Sequence, residues 1–133
     1  LVTVVKKYIR HFNQNYGIKT ELILPSDPES IVFDSAVDIQ LQPIIQETLT
    51  NIRRHSRANS ARVIFEPFEH MIRVTVEDNG QGFDIDADPA GQGFGLRSMQ
   101  GRAEMIGAHF DIRSAAGKGT RVIIDILRQK EEK

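Results

Sequence analysis

A run of alternating side chains that ends in a carboxylate and two glycines constrains this chain more than any other feature. Met71-Ile72-Arg73-Val74-Thr75-Val76-Glu77 has the period of two expected of a half-buried strand. Ile72, Val74 and Val76 share one face, and the same register carries Asp78 onto it. A carboxylate at the end of an apolar face is costly unless something satisfies it. A ligand that donates a hydrogen bond would do so. In Asp78-Asn79-Gly80-Gln81-Gly82 the chain can turn sharply and a flat group can come close, because neither Gly80 nor Gly82 has a Cβ. The same residues also form an ordinary Asp-Asn-Gly turn between strands, and this segment alone leaves both readings open.

The flanking segments supply elements for such a strand to pack against. Leu1, Val2, Val4, Val5, Tyr8, Ile9 and Phe12 have helical spacing, closed by Asn15-Tyr16-Gly17, and Ile18 to Leu24 alternates like a strand. Pro25-Ser26-Asp27-Pro28 reads as a loop and Ile31-Val32-Phe33 as a short strand. The strongest helix is predicted from about Val37 to His55, where Leu41, Ile44, Ile45, Thr48, Leu49 and Ile52 form one stripe. Asp38 is its expected N-cap, which puts Pro43 within or just after the first turn. Ala61 to Phe65 is a strand, joined to the Asp78 strand by a hairpin at Pro67-Phe68-Glu69-His70. The stretch between Phe83 and Gly93, rich in Asp, Ala, Pro, Gly and Gln, is expected to be a mobile loop. A second helix runs from Gly95 or Leu96 to Ile106, stopped by Gly107. Phe110 to Arg113 and Arg121 to Leu127 are strands about a turn at Ala116-Gly117-Lys118-Gly119. This pattern is α+β: a two-layer α/β sandwich with a mixed, mostly antiparallel sheet and helices on one face.

Composition narrows what such a domain does. With 133 residues, 40% apolar and 26% charged, the chain fits one globular domain, and a net charge of −1 offers no overall footprint for nucleic acid or an anionic membrane. No apolar run approaches the roughly 20 residues of a membrane span. The absence of cysteine removes disulfides, thiolate zinc sites and cysteine nucleophiles. His11, His55, His70 and His109 lack metal-ligand spacing, and no serine lies in a nucleophile elbow. The chain opens at Leu1 without an initiator methionine and reads as a piece of something longer, with residues 1–17 the end of a connecting segment, 18–128 the domain and 129–133 a polar tail.

Three further clusters carry chemistry. Glu47 and Asn51 lie one turn apart at the edge of the apolar stripe, His55 continues their row, and Arg53 and Arg54 are adjacent. Two hard oxygen donors at such an edge suit Mg²⁺, and basic residues one turn on suit phosphate oxygens. The same spacing also describes a solvated helix flank. Gly91-Gln92-Gly93-Phe94-Gly95-Leu96 opens the second helix, where free backbone N–H groups make an anion site. A flexible glycine linker has the same composition, and the segment is neither a Walker A loop nor a dinucleotide fingerprint. Gly117-Lys118-Gly119-Thr120 is a hairpin turn whose Thr120 hydroxyl could bond Asp78 or a ligand.

Taken in order, Glu47…Asn51, Asp78-x-Gly80-x-Gly82, Gly93-x-Gly95-Leu96 and Gly119-Thr120 resemble the N, G1, G2 and G-T boxes of the ATP-binding catalytic domain of bacterial sensor histidine kinases. That domain has the Bergerat-type fold shared with DNA gyrase B, Hsp90 and MutL. The wording of residues 46–56 and 95–104 is similar to the nitrate/nitrite-sensor branch, and the likeness covers roughly residues 18–127. The resemblance implies ATP and Mg²⁺ as ligands. Asp78 would accept from the adenine amino group and Gly82 would give the base room. Asn51 would bind the metal that bridges the phosphates, with Glu47 holding the metal or its waters. Gly80 belongs to the same adenine-binding box. Gly93, Gly95 and Leu96 would let a lid close over the triphosphate, Arg54 or His55 would reach phosphate, and Thr120 would support the adenine end.

The resemblance also implies partners: a dimerising hairpin that carries the phosphate-accepting histidine, and a response regulator downstream. In the family that histidine is followed by an acidic residue, and none of the four histidines here is. The chain is therefore expected to be the nucleotide-binding half of a kinase: cytoplasmic, monomeric alone, without direct nucleic-acid contact, and membrane-linked only through other parts of its parent. An F box is not evident and the lid is short. An anti-sigma-type protein-serine kinase shares these boxes, and a degenerate, non-catalytic interaction module is a third alternative.

Overall fold

The alternating run at 71–78 becomes the middle strand of a five-stranded sheet in the computed structural model, which describes residues 1–82 and 95–128. In chain order the elements are α1 (Val2–Tyr16), β1 (Lys19–Ile23), α2 (Ser35–Asn51), β2 (Ser60–Pro67), β3 (Met71–Asp78), α3 (Leu96–Met105), β4 (His109–Ser114) and β5 (Thr120–Leu127). The strands lie in the order β1-β2-β3-β5-β4. β1 runs parallel to β2, reached through α2, and the remaining pairs are antiparallel. β5 thus returns between β3 and β4 and places Thr120 directly opposite Asp78.

One face of the sheet is apolar because every strand alternates. Val63 and Phe65 of β2, Ile72, Val74 and Val76 of β3, and Val122, Ile124 and Ile126 of β5 are buried there. Onto them pack Val5, Ile9 and Phe12 of α1, Leu41, Ile44, Ile45 and Leu49 of α2, and Met99 and Ala103 of α3. Each such Val, Leu, Ile, Phe or Met side chain contributes about 1.5–3 kcal/mol of burial free energy before the entropy of ordering is subtracted. The opposite face carries charge instead. Glu77 is paired with Arg62 and Arg121, and Arg73 holds Asp125 through two hydrogen bonds of 2.8 and 3.1 Å. The architecture is the expected mixed, two-layer α+β sandwich.

Three local expectations change. Asp34, not Asp38, caps α2: its Oδ1 accepts from Val37 N at 2.9 Å. Asp38 falls in the first turn, where its negative charge faces the positive end of the helix dipole. Pro43 consequently lies inside the helix rather than in its first turn, and costs the bond to Ile39, a residue on the solvent side. The helix also changes its bonding before His55: regular α-helix stops at Asn51 and a π-turn covers Ile52–Ser56, closed by Arg57 at φ 53°. Finally, Ile31-Val32-Phe33 alternates without being a strand. Pro28–Ser30 forms a 3₁₀ turn, after which Ile31 and Phe33 pack on the core while Val32 is 73% exposed. Among the described residues no helix is long and apolar enough to cross a membrane.

Candidate nucleotide-binding site

At the end where β3 and β5 meet α2, the side chains leave a cleft of about 380 Å³ of atom-free space, mouth included. Its floor is Val76, Val122 and Ile112, all from the apolar face of the sheet. Its helical wall is Thr48, Asn51, Ile52, His55 and Ser56, residues that recur every three to four positions and so share one side of α2 and its π-turn. Asp78, Gly82 and Thr120 close the sheet side. A narrow space with apolar floor and a few convergent polar groups is the usual form of a small-molecule site.

Asp78 is the charged group at the bottom of this arrangement. Its Oδ1 accepts from Gly80 N at 2.7 Å, which folds the chain back immediately after β3. Burial pushes its carboxyl above the usual carboxylate range, and hydrogen bonds from the backbone N–H groups of Gly80 and Thr120 offset part of that rise. An ionised carboxylate has about four lone-pair directions. Two N–H donors leave capacity for a ligand donor from the cleft.

The glycines after Asp78 are required by the protein's own backbone. A Cβ on Gly80 would overlap the Ser56 carbonyl, and a Cβ on Gly82 the Ala115 carbonyl. Gly80 therefore presses the loop against the end of α2 and does not line the cleft, whereas Gly82 does. The residues between them, which sequence reasoning passed over, tie the loop down. Asn79 Oδ1 accepts from the backbone N–H groups of Asn59 and Ser60, at 3.2 and 3.1 Å, and its Nδ2 donates to Asn59 Oδ1 at 2.6 Å. Gln81 reaches the carbonyls of His55 and Ser56.

Thr120 lines the cleft, but its side chain does not hold Asp78. Its backbone N–H does that, while its hydroxyl lies 2.8 Å from Ser114 Oγ, which in turn donates to the Gly119 carbonyl at 3.1 Å. The direction of that chain makes Thr120 the donor to Ser114 and leaves its own oxygen able to accept. Thr48, assigned to the core stripe from sequence, also faces the cleft, and its hydroxyl donates to the Ile44 carbonyl at 2.8 Å and touches Met99 Sδ at 3.4 Å. No sequence signal marked Ser56, whose hydroxyl bonds the Ile52 carbonyl at 2.7 Å and accepts from Ala58 N at 3.0 Å inside the π-turn.

Of the remaining predicted residues, Glu47 lies outside the cleft lining, with its Oε1 against Gly95 at the start of α3. A Cβ there would crowd it at 2.7 Å. Leu96, in the first turn of α3, is partly buried against the core. Arg54 is exposed and does not line the cleft, in contrast to His55. Gly93 and the expected lid at 84–92 lie outside the described residues. Among the described residues no three His, Cys, Asp or Glu side chains could hold a metal. Glu47 and Asn51 supply two hard oxygens one turn apart. That set suits an ion that keeps its waters and arrives with phosphate oxygens, as Mg²⁺ does.

Comparison with known proteins gives the family and the fold. Residues 36–130 match the family described as "Histidine kinase-, DNA gyrase B-, and HSP90-like ATPase". The chain is 33% identical over 132 residues to the signal transduction histidine-protein kinase/phosphatase DegS of Brevibacillus brevis, covering 99% of this chain and 33% of that protein. It thus spans about a third of the relative's length. Among solved structures, the histidine kinase domain of the Erythrobacter litoralis EL346 blue-light activated histidine kinase superposes with a TM-score of 0.75 at 24% identity, over 93% of this chain and 58% of that one. The Acinetobacter baumannii histidine kinase AdeS gives a TM-score of 0.64 at 21% identity, over 95% and 62%. These two likenesses concern the fold. From the family match over most of its length, with the cleft and its carboxylate in place, this chain belongs to the histidine kinase-, DNA gyrase B- and HSP90-like family of ATP-binding ATPase domains.

Proposed function

We propose that the chain is the Mg²⁺-ATP-binding catalytic domain of a sensor histidine kinase. Its γ-phosphoryl group would pass to a histidine on a dimerising hairpin of a longer parent, and from there to an aspartate of a response regulator. The observation that carries this reading is the half-buried Asp78 at the bottom of a cleft whose opposite wall presents Asn51 and His55. A flat base entering over Val76 and Val122 would bring an exocyclic amino group to Asp78, which accepts only while ionised. The phosphates would then run along α2. Asn51 would hold a phosphate-borne Mg²⁺, with Glu47 of α2, whose carboxylate lies against the start of α3, holding the metal or its waters. His55 is the better placed of the two basic candidates for phosphate, because Arg54 does not line the cleft. Gly82 and Thr120 keep the adenine end open. When bound, Mg²⁺ would neutralise phosphate charge, which with positioning supplies most of the catalysis of phosphoryl transfer.

The name of the Brevibacillus brevis relative supports histidine phosphorylation over the serine-kinase alternative, and the intact cleft counts against a degenerate module. The likeness of residues 46–56 and 95–104 to the nitrate/nitrite-sensor branch is a finer proposal within the same family. The domain needs the acceptor hairpin to complete a turnover, so alone it is expected to bind nucleotide and transfer little. Calorimetric titration with a non-hydrolysable ATP analogue, with and without Mg²⁺, tests the reading. Metal-enhanced binding is the expected result; a folded chain that takes up no nucleotide under either condition would refute it.

A further inference from the structure

Three bonds converge on one exposed residue at the rim of the cleft. Gln81 Nε2 donates to the His55 carbonyl at 2.6 Å, Gln81 N donates to the Ser56 carbonyl at 2.6 Å, and the Gln81 carbonyl accepts from Gly117 N at 2.5 Å. The first two partners belong to the π-turn, the third to the turn between β4 and β5. The π-turn ends the helical wall of the cleft, and the β4–β5 turn leads into Thr120, which lines its sheet side.

The carbonyls of the π-turn need outside donors for a simple reason. The last carbonyls of a helix have no partner within it, and Arg57, at φ 53°, turns the chain away at once. Gln81 supplies both donors from across the cleft mouth and so caps α2 at a distance. Its neighbour Gly80 lets the loop sit flush on the Ser56 carbonyl, and Gly82 does the same against the Ala115 carbonyl. Loop, helix end and hairpin turn are therefore locked together around a single residue, through its main-chain N–H and carbonyl and one side-chain bond to the His55 carbonyl.

We propose that Gln81 is a positioning residue that sets the width of the nucleotide cleft, holding the wall of Asn51 and His55 at a fixed distance from Asp78. It touches no reacting group and acts through the π-turn. This inference rests on the nucleotide-binding reading above. The residue has to be a long side chain with a terminal donor, because it must reach past Gly80 to a carbonyl that only a donor can satisfy. Methionine has the length without the donor; lysine has both.

The test uses the whole chain with two probes, a non-hydrolysable ATP analogue with Mg²⁺ and adenosine. Adenosine carries no phosphate, so an added ammonium group gains nothing from charge. Gln81→Met is expected to weaken both ligands by about tenfold, the scale of a lost donor to a carbonyl, with the thermal midpoint of the free protein within a few degrees of wild type. Gln81→Lys is expected to restore adenosine binding to near the wild-type value. A role confined to stability predicts a lowered midpoint and no recovery of affinity by Lys. Wild-type affinity for both probes in Gln81→Met would overturn the assignment while leaving the nucleotide site standing. Failure of the wild-type chain to bind either probe would overturn both.

Discussion

Replacing Asp78 by Asn separates the binding role of the carboxylate from any role in the fold. The two side chains are isosteric, and the carbonyl oxygen of the new amide could still accept from Gly80 N and keep the loop. What changes is the face turned to the cleft. There the amide would present N–H groups to a base whose amino group also donates, so two donors would meet in a partly buried space. A hydrogen bond to a charged acceptor contributes about 1.5–3 kcal/mol. Losing it corresponds to a fall of roughly tenfold to more than a hundredfold in adenine-nucleotide affinity. Stability should move the other way or stay level. Burial raises the folded-state pKa of Asp78, so the folded protein holds that proton more tightly than the unfolded chain. Ionisation then costs stability as pH rises through the carboxylate range, and the whole cost is present at neutral pH. Asn carries no such cost. Calorimetric titration with an ATP analogue and thermal melts at pH 7 and at pH 4 measure both quantities. The expected result is lost affinity with an equal or higher midpoint at pH 7, an advantage that shrinks at pH 4. Unchanged affinity, or affinity and midpoint falling together, would rule out a carboxylate that binds the base at a cost to the fold.

Other perturbations follow from the same geometry. Asn51→Ala should remove most of the gain in affinity that Mg²⁺ gives an ATP analogue while changing metal-free ADP binding little; equal losses in the two titrations would argue against a metal role. Gly80→Ala should cost about 1–3 kcal/mol in urea denaturation, because its Cβ meets backbone at Ser56. The control Gly101→Ala, in α3 with open space around it, should gain about 0.5–1 kcal/mol. Equal effects at the two glycines would contradict the close approach of the loop to α2. Asp34→Ala should cost about 1 kcal/mol as a lost N-cap, measured in the same way; a neutral result would mean that α2 begins elsewhere.

The sheet was legible because its strands repeat with period two and its turns are punctuated by glycine and proline. Ile72, Val74 and Val76 pointed inward as read, and Gly17 and Gly107 stop their helices in the left-handed conformation. Where sequence reading slipped, local backbone geometry or a tertiary partner decided the outcome. Asp34 and Asp38 are both acidic and both precede apolar spacing, and the extended backbone at Asp34 with its bond from Val37 N selects it as the cap. Ile31 and Phe33 bury without a neighbouring strand to pair with. The π-turn has no local signature, because Ser56 is held by a loop more than twenty residues away through Gln81 and Gly80. At the site, the boxes brought Asn51, His55, Asp78, Gly82 and Thr120 to one cleft. Spacing put His55, not Arg54, in the row of Asn51, as the cleft has it, but it could not show the π-turn that carries His55. Nor could it show that Glu47 faces α3, or that Asn79 and Gln81 fasten the loop.

In the proposed complex adenine lies over Val76 and Val122 with its amino group at Asp78. Intermolecular NMR contacts between a bound ATP analogue and the methyl groups of the protein test it most directly. Contacts are expected from the adenine ring protons to Val76, Val122, Ile112 and Ile52, with none to methyl groups on the opposite face of the sheet such as Ile64 and Ile123. Ring-proton contacts at Ile64 or Ile123, or bound nucleotide with no contact to Val76 and Val122, would contradict it.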